Sequence, residues 1–263
     1  TMDNFDLKKY LVENKLTSNS RVNEEGNPNL KHSPVDFSTY NKYNSKLFGY
    51  DLETLNKLKS LNYDGDLNLE NRDITHLPPG LEVEGDLILS NSKIKSLPDD
   101  FEVGGSLWLI GTQLTSLPKG LKVGKNLSIA NTQQITSLPE DLQVGKSIIL
   151  DESAITSLPD NLQVNNNLQA QKTYKLTSLP DNLRIGGALF LQNSNIASLP
   201  KNLKVEHMLV ATNTQISSIP ISLQVEDKFW IKNTPLAKKY TEEEIRKMIE
   251  DKGGYVNGDI RTD

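Results

Sequence analysis

Few residues of this chain have side chains suited to chemistry, and their spacing does not suit it. His32, His76 and His207 are the only histidines and fall in unrelated contexts, so none shares the short spacing that metal ligands need. Gly145-Lys146-Ser147 reproduces the end of a phosphate-binding loop. That loop needs a glycine where Glu140 stands and a helix to follow it, whereas Ile148-Ile149-Leu150 reads as a strand. Asp99-Asp100 and Glu140-Asp141 are acidic pairs of the kind used in general acid–base catalysis, but they sit in polar loops with no partner set. The chain also has no cysteine, which fits a reducing compartment. The expectation is a protein that is not an enzyme, with no metal and no cofactor.

The elements behind these residues repeat. Leu-Pro recurs at Leu77-Pro78, Leu97-Pro98, Leu117-Pro118, Leu138-Pro139, Leu158-Pro159, Leu179-Pro180 and Leu199-Pro200, and Ile219-Pro220 continues the series. The step is 20 residues, and 21 in two units. A fixed period of this size marks a solenoid. Counted from its Leu-Pro, one unit reads L-P-x-x-L-x-V-x-x-x-L-x-L-x-x-(T/S)-x-I-x-x.

Apolar residues at positions 11 and 13 alternate from Leu67/Leu69 to Phe229/Ile231, which predicts about nine coils, each giving one short strand with a buried face. Stacked, these strands make a parallel sheet. Leu81-x-Val83 and its equivalents predict a second extended segment opposite, and glycines such as Gly104-Gly105 are expected to supply the turn between the two. Position 16 is hydroxylated in eight successive units, from Ser92 and Thr112 to Thr234, and is expected to turn inward at a corner and bond backbone groups there. The additional residues of the longer units, in Thr132-Gln133-Gln134-Ile135 and Thr173-Tyr174-Lys175-Leu176, are expected to bulge at one edge and leave the strands in place.

This unit resembles a leucine-rich repeat of the short bacterial class. The wording LPxxLxVGGxLxLxxTxIxSLP looks like repeats found in bacteriophage and bacterial genomes. It departs from the usual pattern in having Thr or Ser where an Asn ladder is normal. The resemblance implies a curved parallel sheet whose concave face binds partners. Related repeats in secreted effectors accompany a cysteine-dependent ubiquitin-ligase domain, and that activity does not carry over to a chain without cysteine.

The fold class expected is therefore mainly β: a leucine-rich-repeat solenoid with helical caps. Residues 1–50 read as a short helix (4–16) and a polar arm that ends in Phe37, Tyr40, Tyr43, Phe48 and Tyr50. Residues 51–235 are the solenoid, opened by a capping helix at Asp51. Residues 236–263 are the C-terminal cap, in which Thr241 and Glu244 form a capping box, Gly253-Gly254 stops the helix and Tyr255-Val256 with Ile260 adds a last strand.

With 34 acidic and 29 basic residues the net charge is −5, which argues against a nonspecific nucleic-acid binder. No apolar run is long enough for a membrane span and no secretory signal opens the chain, so the expected location is the cytoplasm of a bacterial host or a virion. The opening NFDLKKYLVENKL resembles leader-like segments of large tailed phages, which would address the chain to a particle.

Position 12 lies between the two buried leucines of each strand and so faces out from the main sheet. Down the coils it reads Asn68, Ile88, Trp108, Ser128, Ile149, Gln169, Phe190, Val210 and Trp230. Large apolar residues dominate where solvent is expected, and Ile110 at position 14 and Met208 at position 10 add to them. Such a face marks an interface. It has three candidate explanations: a protein partner, cover by the aromatic arm, or residues that favour strands for their own sake. The expected function is a non-enzymatic protein-binding module using Ile88, Trp108, Ile110, Ile149, Phe190, Met208, Val210 and Trp230. A structural or assembly part of a bacteriophage particle and a carbohydrate-binding protein are the alternatives. The oligomeric state is left open.

Overall fold

Each coil makes two extended pairs, at positions 6–7 and 11–12, as in Glu102–Val103 and Leu107–Trp108. In each pair one side chain turns inward, and Val103 and Leu107 are both fully enclosed. The strands are this short because Pro at position 2 and the corners at positions 8–9 and 15–16 end regular pairing. The computed structural model describes residues 62–78 and 80–263. The pairs at positions 11–12 align as one ten-stranded parallel sheet, the main sheet, from Leu67–Asn68 to Ile260–Arg261. The pairs at positions 6–7 form two five-stranded parallel sheets, one ending at Gln143–Val144 and the next beginning at Gln163–Val164. The architecture is a mainly parallel β-solenoid, and its nine consensus coils are followed by a tenth made by the C-terminal segment.

The core runs the length of the stack. In one coil Leu97, Phe101, Val103, Leu107, Leu109 and Leu114 are all buried, and their equivalents above and below join them in one cluster. Neighbouring coils are tied by backbone bonds such as Leu107 N–H to Asn126 O and Leu109 N–H to Ser128 O, each 2.8 Å. The longer units leave this register intact, because Leu127 still pairs with Ile148 and Leu168 with Leu189. The added residues are absorbed at the edge, where Tyr174 stands out at 60% exposure while Leu176 stays buried.

The glycines at the corner serve a purpose other than the turn expected of them. Gly124 and Gly145 do not have positive φ. A Cβ built on either would lie 2.0 Å from the carbonyl oxygen of the equivalent glycine one coil back. The side-chain hydrogen is needed there for the close approach of coils.

The position-16 hydroxyls turn inward as expected, but they bond within their own coil. Thr112, Thr132, Thr173 and Thr214 donate to the carbonyl three residues back, at 2.6–2.8 Å. Ser92, Ser153 and Ser194 are buried with no partner for the hydroxyl. In the ninth coil Thr234 instead accepts from Ala237 N–H at 3.1 Å and so caps helix α1, Pro235–Lys239.

Helix α2, Glu242–Asp251, follows, with both bonds of the Thr241–Glu244 capping box formed. Its Ile245 and Ile249 are buried against the last coil. Gly253, at φ 74°, ends it, and Gly254 N–H returns to Ile249 O at 2.9 Å. Tyr255–Val256 then pairs with Gln224–Val225, and Ile260–Arg261 with Phe229–Trp230. Arg246 of α2 donates to the carbonyls of Val256 and Gly258, which holds this tenth coil in place. The segments expected to form the N-terminal helix, the aromatic arm and the first capping helix lie outside the described residues.

Candidate interaction surface

Position 12 forms an unbroken column. Ile88 pairs in register with Trp108, and Trp108 with Ser128. Phe190 pairs with Val210, and Val210 with Trp230. Parallel strands lie about 4.8 Å apart, so side chains at one position pack directly on their neighbours. Ile88, Trp108, Ile149, Phe190 and Trp230 are half-buried, as are Ile110 and Met208. Val210 departs from the expected exposure at only 3%. It is short and branched and lies between Phe190 and Trp230, which cover it. Ser128, fully buried between Trp108 and Ile149, repeats that arrangement.

The structure therefore joins Phe190, Val210 and Trp230, with Met208 at position 10 beside them, into one apolar patch over adjacent coils. Ile88, Trp108 and Ile110 make a second patch near the other end. Ile149 belongs to neither, because Ser128 and Gln169 flank it in register. The guanidinium of Arg261, in the tenth coil, stands 5.5 Å from the centre of the Trp230 ring. The Trp230 indole N–H is buried without a partner, and so is Oε1 of Gln192 at position 14.

Charge differs between the two ends. On positions 10, 12 and 14 of the first three coils stand Asp66, Glu70 and Asp86 and no cation. Over the coils that hold Phe190, Val210 and Trp230, the same positions carry Lys228 and Lys232 and no carboxylate. In the tenth coil Asp259 is paired with Arg261 at 3.7 Å.

Two columns of this surface were not foreseen. At position 10 the short polar side chains accept from the backbone of the next coil: Asp66 from Asp86 N–H and Asp86 from Ser106 N–H, both 2.7 Å, and Asn167 from Ala188 N–H at 2.8 Å. The ladder ends at Ala188, and beyond it Met208 and Lys228 occupy the same position. At position 15 the backbone is left-handed, mostly at Asn, as in Asn193, Asn213 and Asn233 with φ of 56–59°. Their amides stack, Asn213 donating to Asn193 and Asn233 to Asn213, each at 2.8 Å. Glu152 and Lys172 take that position in the middle coils and pair at 2.8 Å. A small, polar residue before the buried residue of the first six coils, and Asn before most of the position-16 residues, were the available signals.

The residues first weighed for catalysis have structural environments. The N–H groups of Gly145, Lys146 and Ser147 bond to the coil before and are not available to a phosphate. Asp141 accepts from Gly120 N–H at 3.0 Å, and Asp100 occupies a left-handed position at φ 55°. His76 is half-buried, with Nδ1 3.0 Å from Thr75 Oγ1. Burial, helped by Lys95, holds its pKa below the ordinary imidazole value. His207 is exposed. Among the described residues no group of His, Asp or Glu is placed to hold a metal ion, and no helix is long and apolar enough to cross a membrane.

Protein-family models give no match to this chain, and a search of curated proteins finds none either.

Proposed function

We propose that this chain is a non-enzymatic binding module of the leucine-rich-repeat type that holds a protein on the outward face of its main sheet, the face expected to be concave. The two apolar patches on this face, one built around Trp108 and the other around Trp230, carry this reading. Large aromatics in contiguous apolar surface are the usual anchors of protein interfaces. The 20-residue period with Leu at positions 11 and 13 supports the repeat class.

The test is selection of ligands from a displayed protein library on the immobilised full chain, followed by binding to Trp108→Ala and Trp230→Ala variants. The expected result is a loss of about tenfold or more in affinity for one or both variants, because anchor aromatics contribute most of an interface. Thermal unfolding of the variants checks that the solenoid is intact. Selected ligands that bind both variants like the parent would overturn the reading.

A further inference from the structure

The patch made by Phe190, Met208, Val210 and Trp230 is bracketed by cations. Lys228 and Lys232 flank Trp230 on its own strand at positions 10 and 14, roughly 13 Å apart along an extended chain. Asp259 and Asp263 hold the same two positions in the tenth coil, but Asp259 pairs with Arg261 and neither carboxylate is within ion-pair distance of Lys228 or Lys232. Backbone bonding does not explain them. The ladder that occupies position 10 in the earlier coils stops at Ala188, so the side chain of Lys228 is not held by it.

An apolar anchor between two unpaired cations is complementary to a bulky apolar side chain between two carboxylates. We infer that the patch of Phe190, Met208, Val210 and Trp230 takes a segment of a partner protein in which an aromatic or long aliphatic residue is flanked on both sides by Asp or Glu. This rests on the protein-binding reading above and adds the partner's chemistry to it. The apolar side chain packs on Phe190 and Trp230 over the floor made by Val210. The carboxylates meet Lys228 on one side and Lys232 on the other. The patch of Ile88, Trp108 and Ile110, with Asp66, Glu70 and Asp86 around it, repels the same segment and so sets its place along the stack. An anionic lipid surface is the other class of target that apolar and cationic groups suit. It draws on clusters of about four to eight Lys or Arg, and this patch offers three, Lys228, Lys232 and Arg261, the last paired with Asp259.

The experiment titrates the full chain into fluorescent synthetic peptides followed by anisotropy. One peptide carries Phe flanked by Glu two residues away on each side, and its counterpart carries Lys at those places. The expected result is about tenfold tighter binding of the acidic peptide at low salt, a preference that salt weakens. Lys228→Glu with Lys232→Glu should reverse the preference, and Trp108→Ala should leave it unchanged. Lys228→Met with Lys232→Gln serves if the reversed variant fails to fold, and should abolish the preference. Equal binding of the two peptides, or an acidic preference that survives the lysine changes, overturns the inference. So does binding to phosphatidylserine vesicles with no binding of either peptide. Library-selected ligands that still need Trp230 while neither peptide binds overturn this inference and leave the protein-binding reading standing. Ligands indifferent to Trp108 and Trp230 count against that reading itself.

Discussion

Arg261 closes over Trp230: their strands are paired in register, and the guanidinium lies 5.5 Å from the ring centre. The last side chain of the apolar column, itself half-buried, thus has its tenth-coil side flanked by a residue outside the repeat consensus, delivered by a segment that leaves the stack for two helices and then rejoins it. Arg261 is also paired with Asp259, but that pair is exposed and weak.

Arg261→Ala should therefore cost about 0.5–1 kcal/mol, the range for a cation over an exposed aromatic ring, read as a lower urea midpoint. Asp259→Ala should cost less. If the two changes cost the same, the stabilisation comes from the ion pair and not from the ring.

Gly124 and Gly65 make a matched test of the corner. A Cβ on Gly124 would stand 2.0 Å from Gly104 O, whereas one on Gly65 meets nothing within 4 Å among the described residues. Gly124→Ala should destabilise by about 1–3 kcal/mol, the usual cost of forcing atoms into a packed site. Gly65→Ala should stay within about 0.5 kcal/mol of the parent. Equal denaturation midpoints for the two variants would mean that the coils separate at no cost.

The buried hydroxyls separate the same way. Thr132 donates to Ile129 O at 2.6 Å, while the Ser153 hydroxyl has no partner. Thr132→Val keeps the shape, loses the bond and should cost about 0.5–1.5 kcal/mol. Ser153→Ala removes an unsatisfied buried group and should be neutral or stabilising in the same unfolding assay. A costly Ser153→Ala would show that its hydroxyl is bonded in solution.

What could be read in advance follows from how each feature is encoded. The strands and the core depend on apolar spacing alone, so Leu107, Leu109 and their equivalents were visible in the 20-residue period, as was the Thr241–Glu244 box. The tenth coil is harder, because α2 interrupts the period between Trp230 and Tyr255. Features that depend on the neighbouring coil were not legible. Val210 is buried because of the size of Phe190 and Trp230, and the glycine at position 124 is set by the carbonyl of Gly104. The position-10 ladder mixes Asp, Ser and Asn, which hides one role under several residue types. The left-handed column continues through Glu152 and Lys172, which interrupt only its run of Asn, and their ion pair stands in for stacked amides.

Asp151, at position 14 beside that pair, stands in surroundings that disfavour its charge. Burial pushes its carboxyl above the ordinary carboxylate value and Glu152 adds to the effect, while bonds from Gln171 and the charge of Lys172 oppose it. Between the ordinary value and the raised one, the folded chain binds the proton more tightly than the unfolded chain. Stability therefore falls as pH rises through that window, and above it the ionised carboxylate is a net cost. Asp151→Asn keeps an acceptor for Gln171 N–H, now 2.8 Å from Asp151 Oδ1, and removes the charge. The variant should unfold at higher urea than the parent at neutral pH and should lose this part of the slope. The advantage should shrink as pH falls towards the ordinary carboxylate value and vanish below it, where both states of the parent are protonated. A variant less stable than the parent at neutral pH would mean that the bonds from Gln171 to the charged carboxylate outweigh its burial.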